Sequence, residues 1–342
     1  MWLLEINNNK ARQYAFEIYK HNKFSFDEKT GLKNRCRVNL QKTRSFKFLN
    51  KDRFDLYLYS EPKKLQELHQ ELFDYLFNHP TQTFNQKYFE EYICDVKDKK
   101  TNIRHSEYNR INDEELKTIQ HIFNYSTYIS RNTNFSYYLA KLLDVTTCPY
   151  CNRQYIFTIK NTNGEHIVRP EFDHWFAQFF YPDLALSYYN LIPCCHYCNS
   201  VLKNATSTSI ETHIHPYVDK DRGFNFTFGT NLIGSYNVEI DITTNDPSYK
   251  KKVENTLNLF KIKEVYNAHS DFELKELIEL AYANPKDYID TLINEIMVVM
   301  DVDRETVIRI LFGIEIEPSK YNIRPLSKFK SDIIKKLKNI SL

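Results

Sequence analysis

The chain has 342 residues, of which 42% are hydrophobic, 15% aromatic and 26% charged, and its 46 Lys and Arg nearly balance 44 Asp and Glu. That composition excludes a disordered or collagen-like chain, and the length suits one large domain or two modest ones. No stretch approaches the roughly 20 apolar residues of a membrane span. The opening Met1-Trp2-Leu3-Leu4-Glu5 turns charged too early for a secretory signal, so no membrane association and a cytoplasmic location are expected.

In chain order, the first feature is a basic block. From Lys29 to Arg53 nine Lys or Arg stand against Asp52 alone, with Arg35, Arg37, Lys42 and Arg44 as candidate phosphate contacts. Taken alone, such a block reads as a solvated helix face; it gains meaning if a nucleic-acid site lies elsewhere. Phe54 to Tyr59 is predicted as a strand. From Pro62 to Phe77, Leu65, Leu68, Leu72 and Leu76 recur at steps of three and four, an amphipathic helix stopped by Asn78-His79-Pro80. A helix is predicted after Asn112, with Leu116, Ile119 and Phe123 on one face, and another over Phe135 to Leu143. Residues 1–144 thus read as mainly helical.

Past residue 145 the texture changes. Arg153 to Ile159 alternates, Asn161-Thr162-Asn163-Gly164 signals a turn, and His166 to Phe172 reads as the returning strand of a hairpin. A helix is predicted from Asn199 to Thr206, and strands at Phe224 to Phe228 and Tyr236 to Thr243. Helical periodicity resumes at Pro247, with further helices over Phe272 to Ala283, Pro285 to Met300 and Arg304 to Phe312. A second basic block, Lys320, Arg324, Lys328, Lys330, Lys335, Lys336 and Lys338 against Asp332, closes the chain. The fold class expected is α+β: a small β-containing core at 145–220 inserted between helical 1–144 and a 221–342 region of strands followed by helices.

Four of the seven cysteines form two CxxC pairs, Cys148-Pro149-Tyr150-Cys151 and Cys195-His196-Tyr197-Cys198. Two tight pairs on separate segments supply four thiolates at tetrahedral geometry, the donor set of a closed structural Zn²⁺ site; a redox role for either pair is disfavoured by the absence of a βαβ pattern. Cys194 is the neighbour that the spacing leaves out, while Cys36 and Cys94 are isolated.

Between the pairs stand Asp173-His174 and Asn190, and Asn199 follows the last cysteine. Adjacent residues at a strand end face opposite ways, which lets a carboxylate serve a metal while an imidazole serves a nucleophile. Phosphodiester hydrolysis needs that division: His174 suits a general base near pH 7, and Asp173 and Asn199 are hard oxygen ligands for Mg²⁺ or Mn²⁺. Asn190 either orients the His174 ring or ties the connecting loop to the strand.

In this order the motifs from Cys148 to Lys203 resemble an HNH nuclease of the zinc-bearing ββα-metal (His-Me finger) type. The resemblance implies that Asp173 and Asn199 hold the catalytic cation, that His174 activates water with Asn190 orienting it, and that Cys148, Cys151, Cys195 and Cys198 hold zinc. The final motif position is Asn199 rather than His, the gap from Cys151 to Asp173 is long, and Lys203 lies four places after Asn199 where the family often has a basic residue at three. More loosely, Tyr181-Pro182, the run Leu184 to Pro193, His215-Pro216-Tyr217 and Arg324-Pro325-Leu326-Ser327-Lys328 are similar to HNH proteins of bacterial antiphage defence systems such as Septu and some retrons. That implies cleavage of nucleic acid, most simply double-stranded DNA, and an ATPase partner. Lys203 and His215 are candidate nucleic-acid contacts, with a structural turn histidine as the alternative for His215. RNA cleavage, or a zinc-ribbon module that binds without cutting, stays open as an alternative.

Overall fold

A computed structural model describes residues 3–22, 26–27, 31–32, 42–230, 235–282 and 288–338. Arg35 and Arg37 lie outside the described residues. The first half is helical: α1 (Asn8–Asn22), the two-residue strands β1 (Phe26–Asp27) and β2 (Gly31–Leu32), then α2 (Arg44–Phe48), α3 (Lys51–Tyr59), α4 (Pro62–Phe77), α5 (Gln86–Lys97), α6 (Asp113–Ile122) and α7 (Thr133–Leu143). Asparagines start four of these helices. The side chains of Asn50, Asn85, Asn112 and Asn132 each accept from the backbone N–H three residues on, satisfying a donor that the first turn leaves free. α4 buries Leu65, Leu68, Leu72 and Leu76 and ends on Asn78 in the left-handed region at φ 39°.

Phe54 to Tyr59, expected as a strand, lies inside α3. Its alternation is misleading because Phe54, Tyr57 and Leu58 are the buried residues, a three-and-four spacing, and Asn50 caps the turn before them.

The middle of the chain is strand-poor. β3 (Ile159–Lys160) and β4 (His166–Val168) form only the tip of the predicted hairpin. The strand that carries the motif, β5 (Glu171–His174), pairs instead with β6 (Leu191–Cys194), Asp173 opposite Ile192 and His174 opposite Leu191. A π-helical segment, Tyr197–Lys203, follows where an ordinary helix was expected from Asn199. The second half adds the hairpin β7 (Phe224–Thr230) and β8 (Tyr236–Ile242), then α8 (Pro247–Leu259), α9 (Ile262–Asn267), α10 (Lys275–Tyr282), α11 (Tyr288–Met300), α12 (Arg304–Phe312) and α13 (Ser327–Lys338). Among the described residues every sheet is a two-stranded antiparallel pair, and the whole is a mixed α+β chain dominated by helix.

One hydrophobic core runs through all three regions. The N-terminal helices clamp the loop between β5 and β6: the Tyr14 hydroxyl donates to the Leu186 carbonyl at 2.6 Å, and His69 meets Asp183 at 2.8 Å, both pairs buried. The C-terminal region closes on the first CxxC turn. Tyr266 donates to the Cys151 carbonyl at 2.7 Å, and Leu326 N–H to the Asn152 carbonyl at 2.7 Å. No helix among the described residues is long and apolar enough to cross a membrane.

Candidate metal centre and adjoining pocket

Cys148, Cys151, Cys195 and Cys198 converge from two turns, with all four Sγ atoms buried and within 4.8 Å of one another. Cys151 and Cys195 Sγ are 3.9 Å apart, and ~2.3 Å Zn–S bonds in a tetrahedron put sulfurs about 3.8 Å apart. The donor set and its spacing therefore fit a structural zinc ion. Cys194 is buried outside the cluster, the arrangement that the CxxC spacing favours.

The first turn is built by its own backbone. Asn152 N–H donates to the Cys148 carbonyl at 2.8 Å and Cys148 N–H to Gln154 O at 3.0 Å, with Asn152 in the left-handed region at φ 50°. The Asn152 side chain then donates to Thr147 Oγ1 and to the carbonyls of Tyr321 and Arg324. The Arg324 to Lys328 segment singled out in the sequence is thus packed directly on this turn.

Beside the cluster lies an open pocket of about 490 Å³ whose walls include Glu171, Asp173, His174, Asn199, Arg169 and Tyr125. Strand alternation sets Glu171 and Asp173 on one face of β5 and His174 on the other. The His174 ring packs edge-on to Tyr125 at 4.5 Å between centroids, and Nε2 lies 3.0 Å from the Ala185 carbonyl. A carbonyl only accepts, so Nε2 carries the hydrogen and the lone pair of the neutral ring sits on Nδ1. Nδ1 takes no hydrogen bond from a described residue. Burial pushes the His174 pKa down to about 4 against the opposing pulls of the Ala185 carbonyl and the Asp173 charge, so the ring is neutral at pH 7.

Asn190 does not touch that ring. Its Oδ1 accepts from Phe176 N–H at 2.6 Å, and its Nδ2 donates to Phe176 O at 3.2 Å and Leu184 O at 2.9 Å. Of the two roles left open by the sequence, these bonds are those of tying the loop to the strand; the Leu184 carbonyl that Asn190 holds is one residue before the Ala185 carbonyl that meets His174.

Asp173 is more enclosed than its reading as a metal ligand suggests. It is buried, with Oδ2 accepting from the Tyr150 hydroxyl at 2.5 Å and Oδ1 from Lys203 Nζ at 3.0 Å. Lys203 also donates to the His174 carbonyl at 2.7 Å and is 1% exposed. It is an internal counter-ion here rather than a surface phosphate contact. The π-helical winding, seen in Asn204 N–H donating to Asn199 O at 2.8 Å, carries about one extra residue per turn and swings Lys203 inward under β5. Asn199 Nδ2 donates to Glu171 Oε2 at 2.8 Å, and His196 and Ser200 complete the shell of that carboxylate. Burial alone would raise the Glu171 pKa; these donors outweigh it and hold the carboxyl below its ordinary value.

His215 is a buried turn histidine rather than a nucleic-acid contact: it is fully buried against Trp175, the two rings 4.3 Å apart, and its Nδ1 accepts from Tyr217 N–H at 3.1 Å. Arg44 is partly exposed, but its guanidinium is engaged, donating to the Leu76 carbonyl at 2.9 Å and the Arg110 carbonyl at 3.2 Å and pairing with Glu115 at 3.5 Å. Lys42 is exposed. The C-terminal basic block is largely neutralised, Arg324 by Glu315, Lys328 by Asp332, Lys330 by Glu273 and Lys320 by Glu305. Sequence reasoning passed over Tyr150, Glu171, Tyr125 and Arg169. The first two carried a signal, Tyr150 lying inside a CxxC turn and Glu171 two residues before Asp173 on the same strand face; the other two are brought to the pocket by tertiary packing. No family model, no curated protein and no solved structure matches the chain.

Proposed function

We propose that the chain is a metal-dependent endonuclease that hydrolyses phosphodiester bonds of DNA at the His174 pocket. The observation that carries this reading is His174 itself: a neutral imidazole with Nε2 committed to Ala185 and Nδ1 open, in a pocket shared with Glu171, Asp173 and Asn199. The order β5, β6, helical turn beside a four-cysteine cluster agrees with the ββα-metal resemblance of the motifs.

Asp173 and Asn199 would hold a Mg²⁺ or Mn²⁺ ion. Each Asp173 oxygen accepts one hydrogen bond and retains a lone pair, and Asn199 uses only its nitrogen, so the hard donors are present. Such an ion supplies charge neutralisation at the phosphate and the departing oxygen. His174 Nδ1 accepts the proton of the attacking water, the Ala185 carbonyl keeps the ring in the tautomer that can do so, and Lys203 and Tyr150 hold Asp173 in place. Arg169, stacked over Phe172 at 5.1 Å, is the pocket cation suited to a phosphate oxygen. Attack by water makes no use of a 2′-hydroxyl, so RNA shares the chemistry. Control by a partner ATPase in antiphage defence follows from the resemblance alone.

One observation favours a second reading. Lys203 already neutralises buried Asp173, as a purely structural carboxylate in a zinc-built binding module without catalysis would be. Supercoiled plasmid separates the two. The endonuclease nicks it with Mg²⁺ or Mn²⁺ and not with EDTA, and folded His174→Ala does not; a folded His174→Ala protein that still nicks would sink the assignment. Plasmid bound equally by both proteins and cut by neither selects the binding module.

A further inference from the structure

A second cavity, of about 860 Å³, is walled by α4, the start of α5, the segment 207–213 and α8. Its chemistry is one-sided. Four wall amides spend their nitrogens on the protein: Gln66 Nε2 donates to Glu211 at 2.8 Å, Gln70 Nε2 to the Phe84 carbonyl at 2.9 Å, Gln86 Nε2 to Glu90 at 2.9 Å and Asn255 Nδ2 to the Thr212 carbonyl at 3.0 Å. Every partner is an acceptor that cannot donate, which settles the orientation of each amide. Gln66 Oε1 is left buried with no donor, and the side-chain oxygens of Gln70 and Asn255 receive none from a described residue. Two carboxylates, Glu90 and Glu211, face a single ammonium, Lys87. The floor is aromatic, with Tyr181 and Phe84 rings 4.6 and 5.9 Å from that of buried His69.

A wall rich in acceptors and net negative repels phosphate and leaves a ligand's own acceptors unpaired. It suits a planar cation that only donates, and the guanidinium is that group: five N–H donors, no acceptor, and a flat face that stacks on aromatic rings. We propose that this cavity is a receptor for a guanidinium, carried by an arginine in an extended segment of a partner protein. The volume, far beyond one side chain, accommodates the flanking residues of such a segment. The proposal stands apart from the nuclease reading, since none of these groups belongs to the His174 pocket.

Isothermal titration of the full chain with acetyl-Gly-Arg-Gly-amide, its citrulline counterpart, agmatine and adenosine tests it. Citrulline keeps the shape and loses the charge, so its peptide should bind at least ~10-fold more weakly than the arginine peptide, and Glu90→Gln with Glu211→Gln should weaken the arginine peptide by about the same factor. Agmatine weaker than the arginine peptide supports a protein segment as the occupant; agmatine equal to it overturns the partner segment in favour of a free guanidinium compound. Equal binding of the two peptides, no binding of either guanidinium probe, or adenosine binding in their place overturns the proposal. The arginine-to-citrulline comparison uses wild-type protein and stays decisive if the double variant does not fold.

Discussion

The four-cysteine cluster and the His174 pocket share the π-helical segment, which gives Cys198 to one and Asn199 to the other, yet they are built on opposite principles. The cluster is closed: four like donors, buried, locked by backbone turns and by Asn152 reaching into the C-terminal segment. The pocket is open and heterogeneous, and its central carboxylate is held by partners from both sides, Tyr150 out of the first cysteine turn and Lys203 out of the π-helical segment. A site whose ligands are identical residues at short spacing is specified locally. A site made of one residue from each of several elements exists only after those elements have packed, and Tyr150 is where the first kind of site supports the second.

The sharpest way to break that dependence is at the cluster. Cys148→Ser or Cys198→Ser should lose bound zinc, measured by metal analysis, and with it the soluble folded chain, because structural zinc contributes about 10–16 kcal/mol of folding free energy in small zinc domains. A variant that folds with unchanged zinc content would remove the cysteines as ligands. Next in size is the Asp173–Lys203 pair. Asp173→Ala strands a buried ammonium and should cost about 3–5 kcal/mol in urea unfolding, whereas Asp173→Asn with Lys203→Met should cost less than the sum of its singles. Additive costs would mean that the two charges do not meet. Smaller again is Asn190→Ala, which frees the Phe176 N–H and O and the Leu184 O for about 3 kcal/mol. Because the loop then releases Ala185, cleavage should fall along with stability; lost stability with undiminished cleavage would detach Asn190 from His174.

What the sequence made legible follows the same division. Cys148, Cys151, Cys195 and Cys198 could be paired from spacing alone, and α4 from its leucines, since both signals are local. Lys203 and His215 could not be placed, because a cation or imidazole reads the same in sequence whether it faces solvent or sits under a strand; the π-helical turn that buries Lys203 hangs on one residue of spacing. The strand expected at Phe54 to Tyr59 is a helix because alternation and helical periodicity coincide over so short a run, and the Asn50 cap decides between them. The β5–β6 pairing was missed for a different reason: its partner strand, Leu191–Cys194, lies beyond a loop of sixteen residues and contains Pro193, so no local turn signal announces it.

The smallest effect tests the protonation state on which the chemistry depends. Burial brings the His174 pKa down to about 4 and that of His213, at the second cavity, also to about 4, both from 6.5. A histidine whose pKa is lower folded than unfolded binds its proton more readily in the unfolded chain. Its contribution to stability is therefore complete above pH 6.5 and is lost as the pH falls towards 4, at no more than about 1.4 kcal/mol per pH unit for each ring. Urea unfolding between pH 4 and 7 should give such a slope, and His174→Asn should flatten it more than His213→Asn, whose ring is nearer solvent and better screened. Fully buried His215, its pKa lowered by the same desolvation, preserves part of the slope in both variants, so the informative quantity is the difference between them. A slope that His174→Asn leaves untouched would mean that the ring is already as easily protonated folded as unfolded, and Nδ1 would then have no claim to be the free base of this pocket at neutral pH.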